Sequence, residues 1–126
     1  MRLKKITLNN YRCFEHLELD LHPRLTVLVG ENGAGKTAVL DGIATGLSPV
    51  LTYLSTANQR LMGRGIKDDD FRLLPVDVSQ PQISRVADYS QVVVETWSGW
   101  IWDHWKPSIQ GREPDVKYGT SELRQK

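Results

Sequence analysis

The sequence predicts an α/β fold built around an anion-binding turn, on three consecutive observations. A short, nearly continuous apolar run, Leu25-Thr26-Val27-Leu28-Val29, reads as a strand buried on both faces. A glycine-rich stretch, Gly30-Glu31-Asn32-Gly33-Ala34-Gly35-Lys36-Thr37, follows it directly. Apolar residues then recur at helical spacing, Val39, Leu40, Ile43 and Leu47, with Ala38 and Ala44 between them. Strand, glycine turn and helix in that order form the unit in which backbone N–H groups and a helix N-terminus converge on phosphate.

The elements before the turn are strands. Leu3 to Asn9 alternates Ile6 and Leu8 with polar Thr7 and Asn9, and Leu17-Glu18-Leu19-Asp20-Leu21 alternates without a break. They are expected to pair antiparallel with one wet face. Tyr11-Arg12-Cys13-Phe14 forms their connection, and His22-Pro23-Arg24 turns the chain into the buried strand.

The turn itself matches G-x-x-x-x-G-K-[ST] in full. Glycine loses the most conformational freedom on folding, so three in this stretch imply a need for bare backbone. A triphosphate supplies that need, because several N–H donors must approach its oxygens closely. Gly30 to Thr37 is therefore expected to bind ATP, the backbone from Asn32 to Thr37 cradling the α- and β-phosphates. Lys36 is expected to reach the β- and γ-phosphates, and the Thr37 hydroxyl to ligate Mg2+. The helix is expected to stop at Ser48-Pro49.

Beyond it, Leu51 to Leu61 is compatible with further helix, and Met62-Gly63-Arg64-Gly65 is a break. The triplet Asp68-Asp69-Asp70 invites a metal, but an N-cap aspartate or a solvated turn explains it without an ion. Gln91 to Trp105 reads as a β-hairpin with Ser98-Gly99 as a two-residue turn. Its tryptophans, Trp97, Trp100, Trp102 and Trp105, fit cross-strand sheet packing or a partner surface better than a base-stacking platform. Ser121 to Lys126 is polar and helix-competent.

Composition narrows the classes. The chain has 126 residues, a formal net charge of +1, 40% hydrophobic residues and one cysteine. No apolar run approaches the roughly 18 residues that cross a bilayer and no signal-peptide core opens the chain, so a cytoplasmic protein is expected. The near-neutral charge provides no electrostatic footprint for nucleic acid. Arg2, Lys4 and Lys5 suit the exposed face of a first strand. Cys13, His16, His22 and His104 have no metal-ligand spacing and read as structural or surface residues.

The first 47 residues resemble the N-terminal lobe of the SMC and RecF-like branch of ABC-type ATPases. The matching pieces are the first strand, the segment Asn10 to Phe14, the loop Leu25 to Thr37, and Leu40 to Ala44 at the helix start. The resemblance implies an antiparallel β subdomain beside a parallel core sheet, within a P-loop NTPase head. It places Arg12 near the nucleotide phosphates, against the simpler reading of a turn-capping surface arginine. It also implies support from Asn32 for the attacking water or the loop. Phe14 is read as core rather than as an adenine platform.

On that basis residues 1–126 form the N-terminal part of one ATPase head. Residues 1–29 are the antiparallel element and core strand, 30–47 the loop and helix, 48–90 a helical or loop insertion, and 91–126 the hairpin and the start of a polar helix. No strand ending in Asp-Glu and no signature loop is present. Leu73-Leu74-Pro75-Val76-Asp77 imitates the former, but Pro75 interrupts it and Val78 replaces the glutamate. A longer protein is expected, with the catalytic residues outside this stretch and hydrolysis unexpected from it alone. The resemblance implies a homo-oligomer, an ATP-sandwiched dimer or larger, controlling a DNA repair or anti-phage defence complex, with DNA among its partners and no membrane. More narrowly, Ile66 to Arg72 and the tryptophan-bearing strands are similar to PtuA-type anti-phage ATPases, implying an HNH nuclease partner. A nucleotide-dependent assembly module without turnover and a P-loop phosphotransferase are the alternatives.

Overall fold

A computed structural model describes residues 2–22, 35–54, 65–77 and 80–119. The first two strands form as their alternation demands. β1 (Leu3–Tyr11) and β2 (Phe14–Asp20) pair antiparallel, with Ile6 opposite Leu19, Leu8 opposite Leu17 and Tyr11 opposite Phe14. Arg12 and Cys13 alone connect them. The predicted strand at 25–29 lies outside the described residues, and every pairing among the described strands is antiparallel.

β1 is an interior strand. Its other edge pairs with β5 (Tyr89–Thr96), which in turn pairs with β6 (Ile101–Pro107), giving the order β2-β1-β5-β6. The predicted hairpin is thus present, but its turn is longer than two residues. Trp97 to Trp100 link the strands, Thr96 Oγ1 accepts from the Trp100 N–H at 3.1 Å, and Gly99 takes φ +94. The Thr96 hydroxyl closes this wider loop, so the tight turn is unnecessary.

α1 (Lys36–Leu54) lies across one face of the sheet. Ile6 and Leu8 of β1, Val92 and Val94 of β5, and Trp102 of β6 form the buried cluster, against which Ile43, Leu47 and Val50 pack. The approach is close because α1 presents glycines. Trp102 is fully buried and donates its Nε1–H to the Gly46 carbonyl at 2.8 Å. Leu40 departs from the expected stripe and is 57% exposed.

The helix does not stop at Ser48-Pro49. Pro49 lies within it, although proline supplies no N–H to the helical ladder. The partly buried Leu47 and Val50 continue the packed stripe across the proline, and tertiary packing outweighs the local defect.

The segment 48–90, expected as helical or loop insertion, holds the end of α1 and also two strands. β3 (Leu73–Asp77) and β4 (Gln80–Val86) make a separate two-stranded sheet, Leu73 opposite Val86. Pro75 interrupts the register as expected, but a two-stranded ribbon tolerates this at a bulge. The polar helix expected near 121–126 falls outside the described residues.

The second face of the sheet is covered near β5 and β6 by the chain following β6. Asp103 is buried and its carboxylate accepts from Gln91 Nε2 at 2.8 Å, the Gly119 N–H at 2.8 Å and the Tyr118 N–H at 3.1 Å. Three donors make this burial tolerable for a carboxylate.

Candidate functional site

The helix end of the glycine-rich turn is where the sequence places it. Gly35 takes φ +91, the left-handed region that glycine enters freely. A Cβ there would lie 2.9 Å from Phe14 Cζ. Gly35 is therefore required twice, by its dihedral and by the hairpin packed on it. α1 begins at the next residue, and the Val39 N–H donates to the Gly35 carbonyl at 3.0 Å. The first turn holds no acidic residue, so no carboxylate of the helix's own neutralises its positive end. Lys36 is half-buried and Thr37 exposed, leaving the amine and the hydroxyl accessible at that end. Gly30, Glu31, Asn32, Gly33 and Ala34 lie outside the described residues.

These features suit a bound nucleoside triphosphate with Mg2+: bare backbone, an open helix N-terminus, one cation and one exposed hydroxyl. Among the described residues no three His, Cys, Asp or Glu side chains gather to hold a metal ion.

Arg12 is the second part of the site, and its surroundings were not legible beforehand. It occupies the first position of the two-residue turn, at φ +52. Glycine is the least strained residue there, and arginine in this region costs roughly 1–3 kcal/mol. Its side chain is engaged on two edges. Nε donates to Asp70 Oδ1 at 2.9 Å, and Nη1 meets Asp41 Oδ2 at 2.8 Å. Burial disfavours the charged guanidinium, but the hydrogen bond to Asp70, aided by Asp41, outweighs it and raises the pKa. The simple exposed-cap reading is therefore wrong in one respect, since Arg12 is three-quarters shielded and paired.

Asp70 is 1% exposed and sits in the 3-10 turn Asp68–Asp70. The triplet is neither a metal cluster nor simply a solvated turn. Lys67, not an aspartate, occupies the N-cap, and its N–H donates to Asp70 Oδ2 at 3.0 Å. Backbone bonds lay this segment along the hairpin: Arg12 N–H to the Asp70 carbonyl at 2.5 Å, and Arg72 N–H to the Asn10 carbonyl at 3.1 Å. The signal for Asp70 was its place between Ile66 and Phe71, both buried. Asp41, in the second turn of α1, had no comparable signal.

The other candidates resolve as framework. Trp102 is core, Trp97 is half exposed with Lys4 Nζ 5.7 Å from its ring centre, and Phe14 packs partly against the core. Cys13 is exposed and unpaired. His104 is half-buried, its pKa lowered by desolvation against an opposing pull from Asp103.

The model of a family described as AAA domain matches residues 5–99, three-quarters of the chain and all of this site. The chain belongs to that AAA-domain family. Structural maintenance of chromosomes protein 6 of Saccharomyces cerevisiae is 41% identical over 66 residues, covering 52% of this chain and 5% of that protein. DNA replication and repair protein RecF of Lactococcus lactis is 31% identical over 94 residues, covering 69% of this chain and 26% of that one. The DNA double-strand break repair Rad50 ATPase of Saccharolobus solfataricus is 40% identical over 65 residues, 52% of this chain and 7% of its own. A solved chain from the structural biochemistry of ATP-driven dimerization and DNA-stimulated activation of SMC ATPases aligns with 99% of this chain and 76% of its own, at a TM-score of 0.46 and 15% identity. The AAA domain is thus similar to SMC, RecF and Rad50 proteins over 52 to 69% of this chain, and the chain spans 5 to 26% of the three curated relatives' lengths.

Proposed function

We propose that this lobe binds ATP with Mg2+ and serves, within a full-length protein, as the nucleotide-binding half of a hydrolytic ATPase head. The observation that supports it most is Gly35, held at φ +91 under Phe14 and opening directly onto an α1 N-terminus where Lys36 is half-buried and Thr37 exposed. The backbone of residues 30–37 would cradle the phosphates, Lys36 would pair with the β- and γ-oxygens, and Arg12 would neutralise charge from the hairpin side. The Thr37 hydroxyl would help hold Mg2+, which would offset phosphate charge.

The head would act as a dimer or larger homo-oligomer closing around ATP, in a cytoplasmic complex that handles DNA. The RecF and Rad50 relatives, both DNA repair proteins by name, support this setting. The segment Ile66 to Arg72 supports a narrower assignment to PtuA-type anti-phage ATPases with an HNH nuclease partner. Among the described residues no helix is long and apolar enough to cross a membrane.

The test is ATP binding and turnover by the full-length protein, with and without DNA, beside Lys36→Ala. Binding and turnover should both be lost in the variant. Equal ATP affinity in Lys36→Ala would refute the site, and tight binding without turnover would make the protein a nucleotide-clamped assembly module instead.

A further inference from the structure

Arg12 is bound to two carboxylates that differ sharply in what they can do without it. Asp70 is 1% exposed, whereas the Asp41 side chain is 35% exposed. A buried carboxylate deprived of its cation has no water to replace it; a partly exposed one rehydrates. The two also hold different atoms. Asp70 takes Nε, Asp41 takes Nη1, and Nη2 makes no bond to another described residue. The segment Asp70 to Arg72 is further fixed to the hairpin by backbone bonds on both sides of Tyr11, Arg12 N–H to the Asp70 carbonyl and Arg72 N–H to the Asn10 carbonyl.

The hairpin that carries Arg12 packs on the phosphate-binding turn through Phe14 and Gly35, and Asp41 follows Lys36 by five residues on α1. An anion arriving at this turn and the Asp41 carboxylate would therefore seek the same guanidinium edge. We propose that Asp70 is a positioning residue anchoring Arg12 through Nε, and that Asp41 occupies Nη1 until phosphate displaces it. The inference rests on the nucleotide reading above, and gives the two aspartates opposite effects on affinity. Asp41 competes with the nucleotide; Asp70 keeps the arginine in place for it. The carboxylate that yields is the one water can reach, and the buried ion pair persists in both states.

The experiment measures affinity for a fluorescent ATP analogue with Mg2+ in the full-length protein. Asp41→Asn should bind about two- to fivefold tighter, the scale of releasing one partly exposed ion pair. Asp70→Asn should bind more weakly, as Arg12→Ala does. Asp41→Asn added to Arg12→Ala should change nothing, because the competition acts through the guanidinium. That cycle keeps the idea testable even where Asp70→Asn folds poorly, which its melting curve would reveal. Asp41→Asn binding no tighter than the unaltered protein, or having equal effect with and without Arg12, overturns the inference. Should Lys36→Ala still bind normally, the nucleotide reading itself fails and this inference with it.

Discussion

Replacing Gly46 by alanine should destabilise the domain, although helix propensity argues the reverse. In an exposed helix interior the change would add about 1 kcal/mol of stability, because glycine is the poorer helix former. Here α1 presses on the sheet at this position. A methyl at 46 would lie 2.6 Å from Val94 Cγ2 and 3.0 Å from Val92 Cγ1. Both belong to β-branched side chains fixed in the core, with few rotamers to move into. Overpacking of this kind costs roughly 1–3 kcal/mol. The difference leaves a net loss of about 1 kcal/mol, or a fall in melting temperature of roughly 4 °C for a domain of this size. Urea unfolding and thermal melts of Gly46→Ala would measure it. A control lies one turn earlier: a methyl at Gly42 would meet Leu8 Cδ2 at 2.7 Å, the free end of a flexible side chain that can swing aside. Gly42→Ala should therefore cost less than Gly46→Ala. Adding Val94→Ala to Gly46→Ala should be less damaging than the two changes summed, since each relieves the other. Gly46→Ala as stable as the unaltered protein would refute the close-approach argument.

Two further expectations concern titration and the chain after β6. His104 is held neutral by burial, and its Nε2 accepts from the Ile66 N–H at 3.4 Å. Its folded pKa lies below the ordinary 6.5, so the unfolded state binds the proton first. The stability this group contributes is complete above about pH 6.5 and is lost as pH falls through the lowered value. Urea midpoints at pH 8 and pH 5.5 should fall further for the unaltered protein than for His104→Gln, and equal slopes would refute the assignment. Asp103→Asn replaces a carboxylate that accepts three N–H bonds by an amide with one oxygen. It should cost about 1–3 kcal/mol and speed hydrogen exchange at Tyr118 and Gly119, and unchanged exchange there would refute the role of Asp103.

Short-range patterns carried most of what was legible. The alternation of Ile6, Leu8, Leu17 and Leu19 fixed the β1–β2 pair, and the glycine spacing fixed the start of α1. The errors arose where distant partners decide. Ser48-Pro49 resembles a helix stop, yet burial of Leu47 and Val50 carries α1 to Leu54. Leu40 fits the apolar period but faces largely outward, 57% exposed. Leu73 to Val86, broken by prolines, gave no clear strand pattern, and only the partner strand explains it. At the site, Lys36 and Thr37 follow from a local motif. The Arg12 pairs do not, because Asp70 lies 58 residues away and burial alone separates it from its two exposed neighbours.

The position of β1 has a consequence for how the chain acquires its fold. One neighbour, β2, follows within a few residues, whereas the other is β5, with Asn9 bonded to Gln91 across 82 positions. During synthesis the first strand must wait, half-paired, until β5 (Tyr89–Thr96) has left the ribosome. In that interval the edge destined for β5 is an open template beside Ile6 and Leu8. Pairings of this range slow folding, and an open apolar edge invites other chains. Truncation before residue 91 should thus leave an association-prone hairpin rather than a smaller domain, and the first strand should be among the last elements to gain protection as the protein folds.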